Sequence, residues 1–353
     1  MSGSLVFLYA VTATVAAAAG TFVVRRFTLS RSIIDKPNER SSHQRPTPRG
    51  GGLAIVAVVL AALEVLFLSS HLTGREALAL GMGGSLVAVV GWYDDVRGLS
   101  AMTRAMAHSI AALLAVACLG GMPDITVGAS RVHLGFVGYI PAVLGVVWCI
   151  NLYNFMDGID GIAAVEAICV GAGGASLFLG SGHPGLAVVC VVVAAAALGF
   201  APWNWTPAKI FMGDVGSGFL GYFFGVIVLI GQKEGALALA PSVLLLGVFI
   251  ADASVTLCRR LLHGERWYLA HRTHAYQRAV RAGLSHTGVT CTVLALNIAL
   301  IALAWVSTLL PWWTPLCLAV AVALLGTAYA VVEHKYPMYG EVHPPPEPRA
   351  RPN

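Results

Sequence analysis

Long apolar runs alternate along the chain with short polar stretches, and the runs are too long to be core strands. Eleven of them stand near 4–24, 51–70, 77–93, 104–120, 136–152, 161–180, 185–201, 216–231, 236–258, 289–309 and 313–332. About 17 to 25 apolar residues carry an α-helix across the hydrocarbon core of a bilayer, where a helix satisfies its own backbone hydrogen bonds. The pattern predicts an all-α polytopic membrane protein with about eleven transmembrane helices, or ten if one run does not cross. The first run lacks a basic n-region and ends in Arg25-Arg26 instead of a small-residue cleavage site, which predicts a retained helix and not a signal peptide.

Composition agrees, with 57% hydrophobic and 11% charged residues and a mean hydropathy of +0.77, against roughly 25% charged in soluble domains. Charge adds direction. The alternate loops 25–49, 93–104, 151–160, 201–216, 259–288 and 333–353 hold 19 of the 22 basic residues, leaving Arg75, Arg131 and Lys233 on the other side. Basic loops stay cytoplasmic, so the N-terminus is expected outside and the C-terminus in the cytoplasm. Residues 1–335 read as one helical domain and the Pro-rich 336–353 as a disordered tail. The seven cysteines form no C-x-x-C pair and read as small packing residues. The net charge of +5 suits an anionic membrane face, with no nucleic-acid partner expected.

Three of these loops carry acid. Asp94-Asp95 in "GWYDDVRGLS", Asp157 and Asp160 in "NLYNFMDGIDGIAA", and Asp214 in "KIFMGDVGSG" all fall at helix ends on the expected cytoplasmic face. Asp160 and Asp214 could each simply cap a helix. Together, five carboxylates repel one another unless a divalent cation or a basic partner neutralises them. An oxygen-only set favours Mg²⁺, with Mn²⁺ as the alternative, over zinc. Gly158, Gly161, Gly213 and Gly216 let backbone amides approach a bulky anion, and helix N-termini near 161 and 216 aim positive ends at it. The combination predicts a phosphate site that is neither a P-loop nor an EF-hand.

Neighbouring loops extend the inventory. In "NWTPAKIFMGDVGS", Asn204 can pair with a ring edge, Lys209 can meet a phosphate and Phe211 can stack on a base; ordinary loop and cap chemistry is the alternative. "RWYLAHRTHAYQRAVRAG" places Arg272 between His271 and His274, suited to phosphate or, as a basic aromatic helix, to the membrane surface. "DKPNERSSHQRPTPRGGG" supplies His43, Arg45 and Arg49 ahead of a triple glycine. Glu64, Glu166 and Asp252, within the apolar runs, are expected to face the bundle interior.

In order and loop position, "DKPNERSSHQRPTPRGGG", "YDDVRGLS", "NLYNFMDGIDGIA", "NWTPAKIFMGDVGSGFLG" and "HRTHAYQ" resemble the motifs of the polyprenyl-phosphate N-acetylhexosamine-1-phosphate transferases. "HRTHAYQ" looks like the branch that primes lipopolysaccharide O antigen with 6-deoxy sugars such as N-acetylfucosamine or N-acetylquinovosamine. The resemblance implies a Mg²⁺-dependent transfer of sugar 1-phosphate from a UDP-N-acetylhexosamine to undecaprenyl phosphate, with release of UMP. It implies that Asp214 and Asn154 hold the metal against the diphosphate. It further implies that Asp94 and Asp95 contact or deprotonate the lipid phosphate and that Asp157 is a further essential carboxylate. Asp160, Asn204 and Phe211 are implied as uridine-side contacts, and His271, Arg272 and His274 as phosphate contacts. Other members often carry a Lys shortly after the Asp pair, where this chain has LSAMTR and Arg104, which cannot lose a proton. Membrane lipids are expected neighbours and a homodimer is compatible. A transporter would gather its charges at the membrane midplane, and an intramembrane aspartyl protease would pair aspartates within the bilayer; neither matches carboxylates at one mouth.

Overall fold

The computed structural model describes residues 1–35, 37, 45–121, 125–127, 130–266 and 271–339. His43 and the tail beyond 339 lie outside them. Within the described residues the apolar runs become helices: α1 (Gly3–Ser30), α2 (Leu53–Leu68), α3 (Gly74–Arg97), α4 (Ala101–Leu119), α5 (Tyr139–Met156), α6 (Ile162–Gly180), α7 (Pro184–Asn204), α8 (Asp214–Lys233), α9 (Leu239–Leu245), α10 (Gly247–Leu262), α11 (Ala275–Arg281), α12 (His286–Leu309) and α13 (Thr314–Lys335). Nine are long and apolar enough to cross a membrane, and α9 with α10 would make a tenth. The remaining strands are two short antiparallel ribbons, β1 (Ile34–Asp35) with β2 (Thr47–Pro48) and β3 (Ile125–Val127) with β4 (Ser130–Val132). The chain is an all-α polytopic membrane protein.

Local chemistry sets the helix ends. The Thr73 hydroxyl accepts from the Glu76 amide at 3.3 Å while the Glu76 carboxylate accepts from the Thr73 amide at 2.7 Å, a reciprocal cap that opens α3. Ser100 and Ser285 cap α4 and α12 in the simpler way, accepting from Thr103 and Gly288. Pro184 starts α7, where its missing N–H has no partner to lose.

At the centre stands α8, flanked by α3 and α5, with almost every residue from Val215 to Gly231 buried. α7 packs against α1, α2 and α6, and α12 against α6, α9 and α13. A central helix hydrophobic all round is what burial on every side demands.

Several boundaries differ from expectation. The run 236–258 is not one straight helix: α9 and α10 meet at an 82° bend. Hydropathy is a scalar and cannot register a change of direction at Leu246-Gly247. α2 has 16 residues, fewer than a full crossing requires. α3 and α5 run past their apolar stretches, so Asp94, Asp95, Asn151 and Asn154 are helical and not in loops. Glu166 is buried and accepts from Asn297 Nδ2 at 2.6 Å, and Asp252 is buried, but Glu64 is exposed because α2 turns that face away from its neighbours. Tyr336 and Tyr339, expected in a tail, pack against the bundle: the Tyr336 carbonyl accepts from Arg278, and the Tyr339 hydroxyl donates to Glu265.

Candidate active site

The last turn of α3 and the first of α8 meet through one carboxylate. Asp95 Oδ1 accepts from the Asp214 amide at 3.0 Å and Oδ2 from the Val215 amide at 3.2 Å. A helix begins with amides that have no intrahelical partner and with a partial positive charge, and here the cap arrives from another helix. Gly213 makes the approach possible: its φ is +77°, and a Cβ there would lie 2.4 Å from Asp95 Oδ2. The neighbouring Asp94 accepts from the Leu99 amide at 2.5 Å and from Arg104 Nη1 at 2.6 Å.

Two arginines interleave the acids. Arg49 Nη2 lies 2.8 Å from Asp95 Oδ1 and 3.7 Å from Asp214 Oδ1, while Arg104 Nη1 lies 3.7 Å from Asp214 Oδ2. The Asp214 carboxylate is thus straddled by guanidinium groups from the first loop and from α4. Arg49 owes its position to the triple glycine. The Gly51 and Gly52 amides donate to the carbonyls of Phe211 and Met212 at 2.9 Å each, and the Phe211 amide donates to the Pro48 carbonyl at 2.8 Å. A Cβ on Gly52 would lie 2.3 Å from Gly216 Cα, so only bare backbone lets the two loops join into one ledge.

Asp157 caps the C-terminus of α5 beside this cluster. Burial pushes its carboxyl well above the usual carboxylate range, and the negative charges of Asp214 and Asp95 push it the same way. Among the described residues its side chain has no hydrogen-bond or ion-pair partner.

Other predicted site residues fall on adjoining loops. Asp160 Oδ2 accepts from the Ala208 amide at 3.1 Å and lies 3.5 Å from His286 Nδ1, and its carbonyl accepts from Thr290. Asn204, 2% exposed, accepts from the Gly161 amide at 3.0 Å and donates to the Ile210 carbonyl at 3.1 Å. These two side chains hold the 157–161 and 204–214 loops together. Phe211 is half-buried in the ledge, whereas Lys209 is exposed with Nζ 5.7 Å from the Trp203 ring.

His271, Arg272 and His274 precede α11. The two imidazoles lie 4.8 Å apart, and His274 packs between Phe155 and Tyr276. Tyr276 Oη donates to the Phe155 carbonyl at 2.9 Å, which fastens this segment to the end of α5, where half-buried Asn154 and Asp157 stand. Of the stretch expected as a possible surface helix, residues 271–274 form a His-bearing loop and Ala275–Arg281 one short helix, while 267–270 lie outside the described residues.

The donor set fits a hard cation in kind, since Asp214, Asp157 and Asn154 offer oxygen and the carboxyl of Asp157 lacks a partner. Among the described residues no three His, Cys, Asp or Glu side chains stand together as a ready-made metal cage. Arginines supply the nearest countercharge, and this alternation of acid and base was not expected from the acids alone.

The family model for glycosyl transferase family 4 matches residues 77–232, which hold the Asp pair, Asp157, Asp160 and Asp214. A decaprenyl-phosphate N-acetylglucosaminephosphotransferase of Mycolicibacterium smegmatis is 31% identical over 85% of this chain and 82% of its own. A "probable undecaprenyl-phosphate N-acetylglucosaminyl 1-phosphate transferase" of Bacillus subtilis is 32% identical over 75% of each chain. The chain belongs to this family of polyprenyl-phosphate hexosamine-1-phosphate transferases. An undecaprenyl-phosphate α-N-acetylglucosaminyl 1-phosphate transferase of Yersinia pestis matches over 86% of each chain at 28% identity. Within this family of phosphoglycosyltransferases, the residues that sequence reasoning underweighted here are Arg49 and Arg104. Arg49 sits in a loop where basic residues are common and Arg104 in the first turn of α4, and only the fold pairs them with the acids.

Proposed function

We propose that the protein transfers an N-acetylhexosamine 1-phosphate from a UDP-sugar to undecaprenyl phosphate, releasing UMP, on the cytoplasmic face of the inner membrane. The observation that carries it is the Asp94–Arg104–Asp214–Arg49–Asp95 chain of charges at one end of a membrane bundle, with Asp157 beside it. The basic loops on that side support the cytoplasmic assignment. The sugar is an N-acetylhexosamine: the named relatives act with N-acetylglucosamine, and the HRTHAYQ segment resembles the branch using 6-deoxy sugars, which would prime an O antigen or a related envelope glycan.

In the transfer, an acceptor phosphate oxygen bonds to the sugar-bearing phosphorus, and the bond to the bridging oxygen breaks with its electron pair leaving on UMP. Such a displacement needs alignment and charge neutralisation more than covalent help. Arg49 and Arg104 provide fixed positive charge, and Asp95, held as a helix cap, keeps α8 in place. Asp157, beside the cluster and with no side-chain partner among the described residues, is the carboxyl placed to take a residual proton from the acceptor phosphate, whose second pKa is about 6. Asp214 and Asn154 would hold Mg²⁺, which supplies charge stabilisation on the diphosphate oxygens. His271, Arg272 and His274 meet phosphate oxygens from the α11 side, and Phe211 stacks on uracil.

The isoprenoid tail has a natural place. An apolar cavity of about 990 Å³ lies between α10, α11, α12 and α13, lined by Met156, Tyr276, Val293, Leu296 and Leu325 among others. Met156 adjoins Asp157 and Tyr276 follows His274, so a chain lying there would keep its phosphate near the cluster.

The test is a panel of UDP-N-acetylhexosamines offered to purified protein with undecaprenyl phosphate and Mg²⁺. UMP release with one or more donors is expected; no release from any of them contradicts the proposal.

A further inference from the structure

Behind the histidine loop, α10, α11 and the end of α13 meet around one carboxylate. Glu333, in the last turns of α13, accepts from Arg259 Nη1 at 2.5 Å and Nη2 at 2.9 Å, from Arg278 Nη1 at 2.6 Å, and from the Met338 amide at 3.1 Å. Arg278 is 1% exposed although it belongs to a seven-residue helix. A guanidinium is costly to bury unless paired and hydrogen-bonded, and Glu333 is its charge partner. With that pairing made, Arg278 Nε donates to the Thr273 carbonyl at 3.1 Å and Nη1 also reaches the Tyr336 carbonyl at 2.9 Å.

Thr273 stands between the two histidines, and its hydroxyl lies 2.9 Å from His271 Nδ1. On the other side of the same segment, Asp252 of α10 accepts from the Ala275 amide at 2.8 Å and the Tyr276 amide at 3.0 Å. Its Oδ1 lies 3.4 Å from His274 Nδ1, an ion-pair distance without hydrogen-bond geometry, so that both ring nitrogens of buried His274 lack a hydrogen-bond partner among the described residues. The loop is clasped from front and back. All of these residues lie beyond the 77–232 core matched by the family model.

We propose that Glu333 is a positioning residue for the transfer reaction: through Arg278 it fixes the backbone at Thr273, and with it the directions in which His271 and His274 meet the substrate phosphates. The proposal rests on the reading above that these histidines contact phosphate. A staple that merely holds α13 to the bundle would lower stability and act independently of the histidines.

A double-mutant cycle on the full-length purified protein separates the two. Glu333→Gln is expected to lower kcat by about tenfold or more, as loss of a supporting partner commonly does, with little change in KM for the UDP-sugar, and Glu333→Asp to restore part of it. The Glu333→Gln/His274→Ala double variant is expected to match His274→Ala alone in kcat/KM, since residues acting as a unit are not additive. Arg278→Lys, which keeps the charge and removes the fork to Thr273, is expected to lose kcat in the same way and guards against a Glu333 variant that does not fold. Multiplicative losses in the cycle, or wild-type kcat in Arg278→Lys, overturn the proposal. Wild-type kcat in His274→Ala would instead remove the phosphate-contact reading beneath it.

Discussion

Asp214 sits between Arg49 and Arg104, which its negative charge attracts. Asp214→Asn keeps the shape and removes that charge, so turnover is expected to fall about a hundredfold or more, in the range seen when one preorganised electrostatic group is lost, while the melting temperature stays near that of the parent. Phe211 lies on the ledge beside the cluster, and Phe211→Ala is expected to weaken UDP-sugar binding by about 1–3 kcal/mol, the worth of a stacked base; titration calorimetry with a UDP-sugar checks it, and unchanged affinity would move the uracil elsewhere. Asp157 gives a prediction with a sign. Its folded carboxyl holds a proton more tightly than the ordinary value near 3.9, because burial and then Asp214 and Asp95 disfavour its charge. The folded chain therefore binds more protons than the unfolded one, and stability falls as pH rises from that ordinary value through the raised one. Asp157→Asn should melt a few degrees higher than the parent at pH 7 without metal, with the gain vanishing toward pH 4, and yet be inactive. At this scale the acids were legible because carboxylates at the ends of apolar runs are chemically conspicuous. Their partners were not: Arg49 and Arg104 look like ordinary basic-loop residues, and the strut roles of Asp160 and Asn204 depend on backbone amides that sequence does not locate.

Eleven apolar segments were readable as helices, with ends off by a few residues where polar groups such as Asp94 and Asn154 stay helical. The 82° turn between α9 and α10 was invisible, since apolar composition continues through it, and so was the placement of Asp252 as the cap of α11. The triple glycine was visible as a motif, but its purpose is a contact between loops that are about 160 positions apart in the chain. Gly52→Ala is expected to destabilise by about 1–3 kcal/mol or more, as overpacking against rigid backbone does, because the added carbon meets Gly216 Cα at 2.3 Å; the same variant should lose activity as Arg49 shifts. The cavity among α10, α11, α12 and α13 makes a separate prediction. Leu296→Trp, on its wall, should raise KM for undecaprenyl phosphate while leaving KM for a short-chain prenyl phosphate unchanged; an equal effect on both acceptors would place the tail outside this cavity.

Across the molecule, five loops distant in sequence are gathered at one end of a membrane bundle, and helix termini, arginines and carboxylates meet there with few groups left unpaired. α8 supplies the axis: buried along its length, it begins at Asp214, and α3 and α5, whose last turns lead to the Asp pair and to Asp157, pack directly on it. The central claim is that this end of the bundle moves a sugar together with its phosphate. Identifying the nucleotide released tests that most directly, with purified protein, undecaprenyl phosphate and the UDP-sugar it accepts. The account predicts UMP in step with undecaprenyl-diphosphate-sugar, and neither with Asp214→Asn. UDP as the product, or full activity in that variant, would contradict it.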